Sequence, residues 1–218
     1  MDREPGTVQT RNKKDRQQKG AKRERLTQKA IVSAAAELFA RNGFGASSLD
    51  DIAAALGATK GALYYHIKNK EEILRLIFLT VLTASEEPLS RLVKADLLPT
   101  EKLRRAIEHQ ASTATDRSPA MTVFFHEQAH LTGPFAKEIL LRKKAYAHYF
   151  EQIIRDGQEM GAFQADIDPR LATFGLLGMC NSLSQWYRAE GQFSPAQIAA
   201  TFTNMLEHGL TRSPSPIL

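Results

Sequence analysis

The chain holds a single cysteine, Cys180, so no intrachain disulfide can form. No run of eighteen apolar residues occurs, which excludes a hydrophobic transmembrane helix. The first residues are polar and lack an apolar h-region, so no secretory signal is expected. These absences predict a protein of the reducing cytoplasm, with no membrane partner. No stretch alternates apolar and polar residues as a half-buried strand would. No internal repeat or low-complexity tract is present. Apolar residues are not scarce. They make up 43 % of 218 residues, enough for a substantial core and against disorder of the whole chain.

Charge is uneven along the chain. Residues 1–25 carry nine Lys or Arg and four acids, while the remaining 193 residues balance. The basicity is therefore a local arm over 1–25. It suits nucleic acid or an anionic membrane, and equally a solubilising tail.

The rest is predicted all-α. Ala30, Ile31, Ala34, Leu38 and Phe39 set a helical period over 27–41, with Thr27 as N-cap and Asn42-Gly43 as stop. Ser48 and Asp51 open a second helix over 48–56. Thr59 caps a third over 59–66, and Asn69 caps a fourth beginning at Lys70, which Pro88 should break or bend. Further helices are expected over 100–114, 118–131, 133–160, 168–190 and 194–209. The tail 212–218 should fray.

Two short helices joined by the Gly57-Ala58 turn, with a third before them, have helix-turn-helix spacing. A recognition helix must be slim where it enters the major groove. Thr59-Lys60-Gly61-Ala62 offers one long donor among small residues. Tyr64, Tyr65, His66 and Lys70 could donate to phosphates. The alternative places a tyrosine in the core, although Leu63 is the better core residue.

At residues 34–74, AAAELFARNGFGASSLDDIAAALGATKGALYYHIKNKEEIL, the chain resembles the TetR family of transcriptional regulators. One departure is Ile67, where that family usually has phenylalanine. The resemblance implies a helix-turn-helix domain over 26–70, a ligand-binding and dimerisation domain over 71–211, and a homodimer on palindromic operator DNA. It implies repression relieved by a small-molecule effector. By position, Ser47 and Ser48 would meet phosphate. Thr59, Lys60 and Gly61 would face bases, and Tyr64, Tyr65, His66 and Lys70 would grip the backbone. Specificity would then rest on Thr59 and Lys60, because phosphate contacts carry no sequence information.

His126-Glu127-Gln128-Ala129-His130 matches the zincin HExxH signature, with two histidines one helical turn apart. That pattern would make a zinc metallohydrolase. Ala136 stands where an extended zincin motif needs histidine. The reading adopted is a non-enzyme with no metal and no cofactor, in which this run flanks a ligand cavity.

Cavity candidates are Phe124, Phe125, Tyr146, Tyr149, Phe150, Met179 and Trp186. His126, Glu127, His130, Asn181 and Gln185 are the polar groups that could orient a ligand. Ordinary core packing is the alternative for the aromatics. FFHEQAHL and the later run over 157–188 resemble the acyl-CoA-responsive branch of the family, which implies a thioester effector from lipid, sterol or aromatic-acid catabolism. Arg142, Lys143 and Lys144 could then supply cations, or simply form a solvated face. The competing effector is an aromatic or cationic drug, with Glu127 as counter-charge and an efflux system as target. Leu171, Phe174, Leu177, Leu183, Ile198, Phe202, Met205 and Leu206 of the last two helices are expected at a dimer interface. Cys180 should be a buried small hydrophobe rather than a redox switch.

Overall fold

The computed structural model describes residues 26–210, all helix and connecting turn, with no strand among them. The basic arm over 1–25 and the tail over 212–218 lie outside the described residues. Helices α1 (Gln28–Asn42), α2 (Leu49–Ala55) and α3 (Lys60–Tyr64) form a small bundle. It leads into α4 (Lys70–Lys94), α5 (Pro99–Thr115) and α6 (Pro119–His126). A 3₁₀ turn (Gln128–His130) precedes α7 (Gly133–Glu159), α8 (Pro169–Asn181), α9 (Leu183–Trp186) and α10 (Pro195–Leu210).

Local chemistry defines the first four helix starts. Thr27, Thr59 and Asn69 each accept a backbone N–H of their helix's first turn through a side-chain oxygen. Ser48 and Asp51 form a reciprocal capping box on α2. Gly43 closes α1 at φ +83°, a backbone region that favours glycine.

Ile31, Phe39, Ile52, Leu63 and Ile67 make the core of the small bundle. Ile67 is buried there, so isoleucine fills an inward position. The core does not stop at residue 70. Ile73, Leu74, Ile77 and Phe78 of α4 join it, as do Val123 of α6 and Ile139 of α7. The first half of α4 is thus packed on both units. A second core gathers Leu89, Leu103, Ile107, Phe150, Ile154 and Leu176.

Three expected features are corrected. Of the break or bend expected at Pro88, the break does not occur, since α4 runs on to Lys94. Buried Ser85 and Leu89 flank the proline, and His109 Nε2–H donates to the Ser85 carbonyl at 3.0 Å. The helix expected over 118–131 ends at His126, where Glu127 leaves helical geometry at φ −104° and ψ 20°. The helix expected over 168–190 stops at Asn181 and resumes as the short α9. The Arg117 guanidinium donates to the carbonyls of Leu183, Ser184 and Tyr187, which satisfies carbonyls at the end of α9.

Candidate DNA-reading face and effector cavity

Helix α3 presents its N-terminus outward. Thr59 caps it, and Lys60 reaches across to Asp50 Oδ2 at 2.9 Å. Both partners are exposed, so this pair is easily exchanged for another anion. A Cβ on Gly61 would meet nothing within 4 Å. Packing does not demand glycine there, and its bareness leaves the outer face open. Leu63 is fully buried, whereas Tyr64 is 52 % and Tyr65 88 % exposed. Both tyrosines therefore sit outside the core. His66 packs edge-on against Tyr65, with centroids 5.3 Å apart.

Two expected phosphate contacts are otherwise engaged. Ser47 is buried, and its hydroxyl donates to the Gly43 carbonyl at 2.8 Å. Lys70 Nζ donates to the carbonyls of Phe44 at 2.7 Å and Ser47 at 2.9 Å. It also stands 4.2 Å from the centre of the Phe44 ring. Lys70 thus staples the α1–α2 corner to the start of α4. Ser48 remains at the surface, with its hydroxyl donated to Asp51 Oδ2.

A cavity of about 380 Å³ lies between α4, α5, α6, α7 and the α8–α9 junction. Of the residues expected there, Phe124, Phe125, Tyr146, Asn181 and Gln185 do line it. Phe150, one turn from Tyr146, is fully buried core instead. Tyr149 packs on the same core, Met179 is not on the wall, and Trp186 is half-exposed with its indole N–H donated to Ser182 Oγ.

The HExxH run is divided between two places. His126 lines a surface basin with Arg117 and Arg188, which shares only Ser184 and Gln185 with the cavity wall. Glu127 lies near Gly43, with Oε1 3.7 Å from where a glycine Cβ would be. His130 packs on Phe44 at 5.0 Å and stands 3.4 Å from Glu127 Oε2. None of the three lines the cavity. Among the described residues no cluster of three or more His, Cys, Asp or Glu could hold a metal ion. The zincin reading fails because the helix that would align the two histidines ends between them.

The cavity wall also includes Gln110 and Gln128, which the sequence did not single out. Tyr146 Oη–H donates to Gln110 Oε1 at 2.5 Å, and Gln110 Nε2–H donates to Asn181 Oδ1 at 2.7 Å. Burial raises the Tyr146 phenol well above its ordinary value, so it stays a neutral donor. Among the described residues, Lys143 is the only ionisable one on the wall besides that phenol. Its Nζ lies 5.1 Å from the Phe124 ring centre and 5.9 Å from that of Phe78. It donates to the neutral Gln128 side chain, and burial lowers its pKa. Neighbouring Arg142 is instead paired with Glu86 of α4, Nη2 to Oε2 2.6 Å. Lys144 is exposed. Cys180 is fully buried, and desolvation pushes its thiol up to about 12, which leaves it inert.

An outward recognition helix joined by one long helix to a helical domain with an internal cavity defines a helix-turn-helix regulator. Comparison with known proteins gives the family. Residues 31–77 match the model described as bacterial regulatory proteins, tetR family, and residues 96–210 match the tetracyclin repressor-like C-terminal domain. The chain belongs to the TetR family of transcriptional regulators, which are DNA-binding proteins and not enzymes.

Among its relatives is the HTH-type transcriptional repressor KstR2 of Mycolicibacterium smegmatis. It is 24 % identical over 184 residues, covering 84 % of this chain and 90 % of that one. The fatty acid metabolism regulator protein of Bacillus subtilis is 26 % identical, covering 83 % and 93 %. A solved structure of AibR, in complex with isovaleryl coenzyme A and operator DNA, is 32 % identical with a TM-score of 0.74. It covers 82 % of this chain and 96 % of that one. No helix of the described residues is long and apolar enough to cross a membrane.

Proposed function

We propose that this protein is a cytoplasmic repressor that binds a palindromic operator as a homodimer and is released by an acyl-CoA thioester. The observation that carries the effector class is the cavity itself. Its apolar wall of Leu82, Phe124 and Leu177 suits a short acyl group, and Lys143 is the one cation on that wall among the described residues. A cation inside opposes a cationic drug. Glu127, the counter-charge such a drug would need, faces the α1–α2 corner rather than the cavity. The AibR complex with a CoA thioester and operator DNA supports the same reading.

Thr59 and Lys60 would read base edges, and Gly61 lets the backbone approach them. Tyr64, Tyr65 and His66 would hold phosphates. Exposed Leu171 and Phe174 of α8 and Met205 of α10 would meet their copies in the partner, which would cover their apolar surface. The basic arm over 1–25 would add sequence-independent attraction to DNA. A thioester that favours one orientation of α4 would alter the spacing of the paired recognition helices, which must match groove turns roughly 34 Å apart.

The test is fluorescence anisotropy with labelled DNA from the intergenic region upstream of the protein's own gene, with a panel of acyl-CoA thioesters. The expected result is tight binding, poorly competed by unrelated DNA, and released by a short-chain thioester. Binding that no thioester alters would remove the effector assignment and keep the DNA-binding one.

A further inference from the structure

Lys143 and the HExxH run meet at one small element, the 3₁₀ turn Gln128–His130. At one end of this turn, Gln128 lines the cavity and accepts from Lys143 Nζ. At the other, His130 packs on Phe44, and Glu127 just before the turn sits by Gly43. Phe44 in turn is held by Lys70. A group in the cavity and the corner that orients α2 are thus separated by three residues of backbone. Arg142, beside Lys143 in sequence but off the cavity wall, is bound by Glu86, whereas the hydrogen-bond partner of Lys143 is a neutral amide. An amide is a weaker partner for an ammonium than an anionic oxygen.

We infer that the effector carries an anionic oxygen that takes Lys143 from Gln128, and that this exchange frees the 3₁₀ turn and loosens its hold on the Gly43–Phe44 corner. The inference rests on the cavity being the effector site. It assigns Lys143 as the residue that selects an anionic ligand and Gln128 as the group that reports occupancy. The anionic oxygen belongs either to a phosphate of the CoA moiety or to a carboxylate on the acyl group, and the two sources are separable.

The experiment titrates isovaleryl-CoA and 3-methylglutaryl-CoA, which adds a carboxylate to a similar branched chain, into full-length wild type, Lys143→Met, Lys143→Arg and Gln128→Ala. Calorimetry reads thioester binding and anisotropy reads operator binding. Lys143→Met should weaken thioester binding about tenfold or more, and Lys143→Arg should restore most of it. Equal loss for both thioesters identifies a phosphate as the partner. Loss confined to 3-methylglutaryl-CoA identifies the acyl carboxylate. Gln128→Ala frees Lys143 without effector, so operator binding should already be weaker by several-fold and respond less to added thioester.

Wild type and Lys143→Met binding both thioesters equally would overturn the role of Lys143. Gln128→Ala releasing operator as wild type does would overturn the relay. If neither thioester binds wild type, the effector assignment itself fails, and this inference with it.

Discussion

Three lysines set the DNA-reading end of the molecule against its cavity. Lys60 lies in the open, paired with an exposed carboxylate that any phosphate or base edge could replace. Lys70 is locked by three backbone carbonyls and an aromatic ring, and its charge holds a corner together. Lys143 sits between two phenylalanines with a neutral amide as its partner. Water screens the first, geometry fixes the second, and desolvation leaves the third needing an anion. One residue type thus serves as reader, staple and sensor according to its surroundings.

Substitutions should separate these surroundings. The largest effect is expected where a supposed ligand contact is really core. Phe150→Ala should cost about 3–5 kcal/mol and lower Tm by roughly 10 °C or more in a thermal melt. A melt within a degree or two of wild type would return Phe150 to the cavity wall. Lys70→Met removes three charge-assisted hydrogen bonds, one of them long, and a cation–π contact, and should cost about 2–3 kcal/mol by urea unfolding. If Lys70 only touched phosphate, its loss would weaken operator binding and leave unfolding unchanged. Lys60→Met should do the reverse. It should leave Tm unchanged and reduce discrimination between operator and mutated operator by about 1–2 kcal/mol.

The smallest expected effect is on pH dependence. Burial lowers the pKa of His109 below its ordinary 6.5, while its N–H donates to Ser85. The unfolded chain therefore takes up this proton first as pH falls. The contribution of the neutral ring is complete above about 6.5 and declines as pH drops through that value towards the folded pKa. His109→Gln should flatten the stability profile in that window. An unchanged slope would show that other groups set it.

The DNA-reading end was legible in the sequence because its signals are local. Thr27, Ser48, Thr59 and Asn69 cap helices within three residues of themselves, and Gly43 terminates one by its own backbone freedom. The cavity was only half legible. Tyr146 and Phe150 lie one turn apart on α7, yet the first lines the cavity and the second fills the core. Helical period cannot separate those roles, because both faces of such a wall are apolar. The HExxH run misled for a related reason. Its helical continuity is lost at Glu127, beside tertiary contacts of Glu127 and His130 with the distant Gly43–Phe44 corner. Lys143 had a visible signal, a cation among three in a row on a long helix. Which of the three lines the cavity was not legible, because the Glu86 partner of Arg142 lies on a different helix.

The central claim is that the cavity and the DNA-reading end are energetically coupled. Coupling of this kind is reciprocal, so whatever a thioester does to operator affinity the operator must do to thioester affinity. The most direct measurement is calorimetry of isovaleryl-CoA against the free protein and against the protein saturated with operator DNA. The account predicts weaker binding to the DNA complex, by the same factor as the thioester weakens operator binding. Equal affinity for both forms would contradict it.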